Sequence, residues 1–88
     1  VQFKAEIEEV GKTRTIRIAG RLGRVEADEL RRLCANPRHT LRLDLTDLLS
    51  ADAAGLETLA TLRDRGAALV GASPYITLRL QQTRQQVR

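Results

Sequence analysis

The sequence predicts an α/β fold: a mixed four-stranded sheet packed by about three helices. Two patterns carry the prediction. Apolar residues alternate with polar ones through Phe3–Val10, Thr13–Ala19 and Thr40–Leu45, which is the period of a half-buried strand. Between and after these segments, apolar residues recur at spacings of three and four, the period of an amphipathic helix.

The first two strands are separated only by Gly11-Lys12, a connection short enough to demand an antiparallel hairpin. Phe3, Ala5 and Ile7 share one face of the first strand; Ile16 and Ile18 point inward from the second. Gly20–Arg24 reads as a loop. Val25–Ala35 then places Ala27, Leu30, Leu33 and Cys34 on one side of a helix, with acids early and bases late, as the helix dipole favours. Asn36-Pro37 is expected to stop it, because proline cannot continue the hydrogen-bond ladder.

The third strand sets Leu41, Leu43 and Leu45 on one face. After an expected loop over Thr46–Asp52, a second helix runs from Ala53 to Arg65. Its inward sector is expected at Ala53, Leu56, Leu59, Ala60 and Leu62, with Glu57, Thr58, Thr61 and Asp64 in water. Gly66 stands at the left-handed position after the helix. Ala67–Gly71 reads as a fourth strand, buried on both faces and parallel to the third through a right-handed crossover. Ser73-Pro74 provides an N-cap and a first helical residue. Beyond it, Ile76, Leu78 and Leu80 fit a strand and Ile76 with Leu80 fit a helix. The Gln-rich continuation predicts helix, with Leu78 turned outward and a fraying tail over 79–88.

At 88 residues the chain has surface enough to bury for one core and not for two, so residues 1–88 are read as a single domain. Apolar residues at 42% and charged residues at 30% exclude a disordered composition. No apolar run approaches the roughly 20 residues of a membrane span, and no secretory signal is visible; direct membrane insertion is not expected and a cytoplasmic location is. The net charge of +4 does not point to nucleic acid. Its arginines are scattered, and only Phe3 and Tyr75 supply the aromatics that single-strand binding surfaces interleave with cations.

Catalytic and metal-binding patterns are missing from the sequence. His39 is the one histidine, placed after a turn and without a second His or Cys beside it, so neither a metal site nor a cofactor is expected. Cys34 cannot form an internal disulfide and reads as a small buried hydrophobe. Ser50, Ser73 and Cys34 lack a base within reach in the sequence, so the chain is not expected to be an enzyme.

The informative stretch is Leu43-Asp44-Leu45-Thr46-Asp47-Leu48-Leu49-Ser50-Ala51-Asp52-Ala53-Ala54-Gly55-Leu56. Asp52 stands as the N-cap of the second helix, accepting from its first free backbone N–H groups. Ala53, Ala54 and Gly55 leave the helix start with little side-chain cover, so another backbone can approach closely. From Leu43 to Leu62 there are four acids, Asp44, Asp47, Asp52 and Glu57, and no base.

This stretch resembles the signature of STAS domains, found in anti-sigma-factor antagonists and in sulfate transporters: a strand ending in Asp-Leu-Ser/Thr, a loop, then Asp-Ser-Ser/Ala-Gly-Leu opening a helix. Ile18-Ala19-Gly20-Arg21-Leu22 and Leu69-Val70-Gly71-Ala72-Ser73-Pro74-Tyr75 extend the resemblance over most of the chain. It implies a non-catalytic protein-binding module. In the antagonists the residue after the motif Asp is a Ser or Thr that a partner kinase phosphorylates, which adds charge to the docking face and breaks a contact. Ala53 occupies that place here and cannot accept phosphate. Three readings stay open: constitutive binding, regulation through the partner alone, or an acceptor displaced to Ser50 or Thr46.

The expected docking face comprises Asp47, Ser50, Asp52, Ala53, Ala54, Gly55 and Glu57, steering a basic partner such as an anti-sigma kinase-like protein. The alternative implied by the resemblance is a small STAS subunit or domain of a lipid ABC or anion transporter, whose partner is the transporter's ATPase subunit and to whose docking patch Leu78 could belong. Either is compatible with a homodimer.

Overall fold

Strands β1 (Lys4–Val10) and β2 (Thr13–Leu22) form the antiparallel hairpin that the two-residue turn requires, with Ile7 opposite Ile16 and Glu6 opposite Arg17. The computed structural model describes residues 3–35 and 39–85. The expected stop at Asn36-Pro37 and the last residues, 86–88, lie outside them.

The remaining elements are α1 (Arg24–Leu33), β3 (Thr40–Asp44), β4 (Leu48–Ala51), α2 (Ala53–Asp64), β5 (Ala68–Val70) and α3 (Pro74–Gln85). The sheet runs β1-β2-β3-β5, with β3 parallel to β2 and β5 parallel to β3. The mixed sheet and three helices are therefore those expected, with one strand added. β4 lies where a loop was predicted and pairs in parallel with the far end of β2, Arg21 against Ser50 and Leu22 against Ala51. β2 itself continues through Gly20–Leu22, also read as loop. Gly20 makes this extension workable: at φ 94 it adopts a conformation that side chains disfavour, and the pairing register shifts between Gly20 and Arg21.

One face of the sheet is covered and the other is open. Ile16, Ile18 and Leu43 are completely buried, together with Leu22, Leu30, Leu45, Leu56, Leu59 and Ile76. The alternate positions carry a surface ion-pair array in which Arg17 reaches Glu6 at 3.9 Å and Asp44 at 3.6 Å. This two-layer arrangement corrects the expectation for β5. It is an edge strand with Ala68 exposed and Leu69 and Val70 half-buried, because only β3 flanks it and no helix covers the second face.

Helix α2 ends as its sequence dictates. Gly66, at φ 109, follows the C-cap Arg65; Gly66 N–H donates to the Arg63 carbonyl and Ala67 N–H to that of Leu62, the paired bonds of a Schellman motif. At α3, Ile76 N–H donates to Ser73 Oγ at 3.1 Å, so Ser73 caps the helix ahead of Pro74. Ile76 and Leu80 face the core and Leu78 is about half exposed, as the helical reading requires. The segment from 79 onward, expected as a fraying tail, is helical through Gln85.

Two expectations for α2 need correction. Thr58 is only 3% exposed rather than in water, and Ala53 is exposed rather than packed inward. The helix contacts both α1 and α3 as well as the sheet side, so its buried surface is wider than one stripe.

Candidate docking site at the start of helix α2

The C-terminal ends of β2 and β4 deliver the chain to two adjacent helix starts. Asp52 N–H donates to the Leu22 carbonyl at 3.1 Å, which ties the entry of α2 to the entry of α1. Each start satisfies one of its free backbone donors or neighbours with a carboxylate: Gly55 N–H donates to Asp52 Oδ1 at 2.9 Å, and Gly23 N–H donates to Glu26 Oε1 at 3.1 Å.

The expected docking residues separate into two groups here. Asp47, Asp52, Ala53 and Glu57 are exposed, and Ser50 and Ala54 are half-buried. Gly55 is buried, and a side chain there would overlap the Leu22 carbonyl oxygen and crowd Leu22 Cγ. The backbone that approaches this glycine is the domain's own. Gly55 therefore shapes the site from beneath and offers no surface to a partner.

The acidity of the turn is weaker in space than in sequence. Asp44 faces the open side of the sheet, where it accepts from Thr46 Oγ1 at 2.6 Å and Thr46 N–H at 3.0 Å and pairs with Arg17. The Thr46 hydroxyl first, then its backbone N–H, hold the Asp44 carboxyl below its usual range, with a smaller contribution from Arg17. The negative charge left for a partner is that of Asp47, Asp52 and Glu57. Strand pairing also brings a base that the sequence reading did not assign to the site: Arg21 lines the same shallow recess as Ser50 and Asp52.

Leu49 was missed as well. It is 60% exposed on β4 next to Ser50. Leu48 and Leu49, adjacent on the strand, point to opposite faces, and Leu48 is the buried one. Val25, in the first turn of α1, is likewise exposed.

Among the described residues Ser50 has no hydrogen-bond partner that could act as a base, and no group of three His, Cys, Asp or Glu side chains could hold a metal ion. His39 and Cys34, which nothing in the sequence links, both line a cleft of about 490 Å³ at the opposite end of α2, alongside Leu62 and Ala67. Burial pushes the Cys34 thiol up to about 11, against a smaller opposing pull from Arg14. A thiol so shifted is a poor nucleophile at neutral pH. His39 Nε2 lies 3.7 Å from Glu9, which also binds Arg14.

Comparison with solved structures identifies the fold. The chain is similar to the anti-sigma-factor antagonist SpoIIAA in its unphosphorylated form, with a TM-score of 0.69 and 21% identity over 89% of this chain and 82% of that one. It is similar to an anti-sigma-factor antagonist STAS domain from Rhodobacter sphaeroides, with a TM-score of 0.58 and 19% identity over 83% and 91% of the two chains. A third likeness is to an uncharacterized Shewanella loihica protein with a SpoIIAA-like fold, with a TM-score of 0.56 and 15% identity over 94% and 75%. The fold is thus the one shared by STAS-domain anti-sigma-factor antagonists. No protein-family model matches the chain, and no curated protein matches it in sequence.

Proposed function

We propose that the chain is a non-catalytic STAS-type regulator that works by binding another protein through the turn leading into α2. One observation carries the reading: in a fold shared with anti-sigma-factor antagonists, the start of α2 is solvent-facing, small in side chain and flanked by Asp47, Asp52 and Glu57. Small residues let a partner's backbone come close, and the acids steer a basic surface toward them. Ala53 and Ala54 carry no hydroxyl, so docking here is constitutive with respect to phosphorylation at the helix start.

The domain is expected to act in the cytoplasm; among the described residues no helix is long and apolar enough to cross a membrane. The test is affinity capture from the native cell, followed by titration of the identified partner against wild type, Asp52→Lys and Ala54→Arg. Loss of affinity in both variants is expected. Unchanged affinity in both would remove this face as the docking site, while capture of a transporter ATPase in place of an anti-sigma kinase-like protein would assign the same face to the other class of partner.

A further inference from the structure

A groove of about 260 Å³ runs along α2 on the side facing α1. Its floor is a single helical stripe, Ala54, Thr58, Thr61 and Leu62, and its lining is mostly apolar. Arg31 of α1 lines the groove as well, held by its hydrogen bond to Thr58 Oγ1 at 2.6 Å and its ion pair with Asp28. Glu57 stands near one end and Arg65 at the other. They lie eight positions apart, about 12 Å along the helix axis at 1.5 Å per residue.

The charges at the two ends are unspent. Arg14, Arg17 and Arg31 all pair with acids of this chain, whereas neither Glu57 nor Arg65 has an ion-pair or side-chain hydrogen-bond partner among the described residues. An apolar trough with an acid at one end and a base at the other is complementary to a ridge of the reverse polarity.

We infer that this groove receives an amphipathic helix of the partner protein, running antiparallel to α2, with an acid in its first turn over Arg65 and a base about two turns later over Glu57. The inferred direction follows from the helix dipole, which favours an acid early and a base late in the incoming helix. Its apolar side chains, at spacings of three and four, fill the trough between the two charges. The small floor residues Ala54, Thr58 and Thr61 allow the two helix axes to approach closely. This inference rests on the protein-binding reading above and extends the contact from the turn along the length of α2.

The test is selection of helical peptides from a display library against the wild-type domain, with backbone amide shifts mapping where the winners bind. The expected winners carry an acid and, seven or eight positions later, a base on their apolar side, and they shift Ala54, Thr58, Thr61 and Arg65. Arg65→Glu then weakens them about three- to tenfold, and a peptide with its acid replaced by lysine recovers the loss, as reversal of a surface ion pair predicts. Far-UV circular dichroism confirms that Arg65→Glu is folded. Absence of helical winners, shifts confined to another surface, or indifference to the charge swap would overturn the inference. If Asp52→Lys abolishes binding of the native partner while Arg65→Glu leaves it intact, the groove assignment fails and the docking turn stands.

Discussion

Gly55 of α2 lies directly against Leu22 at the end of β2, with no room for a methyl group between its Cα and the Leu22 carbonyl. The same carbonyl accepts from Asp52 N–H, so one backbone oxygen fixes both the position of the helix start and the identity of its third residue. Gly55→Ala must displace backbone rather than a flexible side chain. We expect it to destabilise the domain by about 1–3 kcal/mol, read as a lower urea midpoint at unchanged slope. A variant with wild-type stability would show that the contact is loose.

The hairpin, the crossover through α2 and the capped starts of α2 and α3 are legible in the sequence, because each is signalled by residues close together in the chain: Gly11-Lys12, Asp52 with Gly55, Ser73 with Ile76. The parallel pairing of β2 with β3 through α1 is not. What escaped depends on contacts across the chain. β4 is four residues long and carries no alternating pattern, and it becomes a strand only because β2 bends at Gly20 to meet it. Arg21 joins Ser50 through that pairing alone. Thr58 was placed in water because a helix was assumed to bury one stripe, whereas α2 has neighbours on more than one side. The start of α2 at Ala53 is legible from Asp52, but Gly55 is expected as surface and found buried, since sequence does not reveal whose backbone approaches a glycine.

Thr58 offers a second test. Its hydroxyl is buried and accepts from Arg31 Nη1, joining α1 to α2. Thr58→Val keeps the shape and removes the acceptor, leaving an arginine donor to find water at the mouth of the groove. The expected loss is about 1 kcal/mol in chemical denaturation. Because Arg31 is itself exposed, pairing Thr58→Val with Arg31→Ala is expected to give less than the sum of the two single losses.

Asp44 makes stability depend on pH in a defined direction. Its carboxyl is held below the ordinary value in the folded chain by the Thr46 hydroxyl and N–H, so the folded state favours the ionised form. That contribution is complete above the unfolded pKa of roughly 4 and disappears as pH falls through the lower folded value. Thr46→Val removes the hydroxyl bond and keeps the backbone one. Carboxyl NMR titration is expected to show the Asp44 pKa rising in the variant, with a smaller drop in stability between neutral pH and pH of about 3. An unmoved titration would mean that Thr46 Oγ1 does not bind the carboxylate in solution.

Cys34 is expected to resist thiol reagents. With its pKa at about 11, labelling by a thiolate-specific reagent at pH of about 8 should be much slower in the folded domain than in denaturant, where the thiol regains a pKa near 8.5. The folded rate should still be climbing at pH of about 10. Equal rates in the two states would contradict the burial of the sulfur.

Asp52 has two roles that substitution can separate. As N-cap it accepts from Gly55 N–H at 2.9 Å, a bond that Asn can replace through its side-chain oxygen and Ala cannot. Stability should therefore follow the order Asp, Asn, Ala, with the alanine variant lower by about 1 kcal/mol. Partner affinity should follow charge instead, falling for both Asn and Ala because each removes one of the three acids left free at this face. Slower association that converges on wild type at high salt would identify the loss as electrostatic steering. If Asp52→Asn binds as tightly and as fast as wild type, the carboxylate serves the helix alone and the acidic character of the turn plays no part in docking.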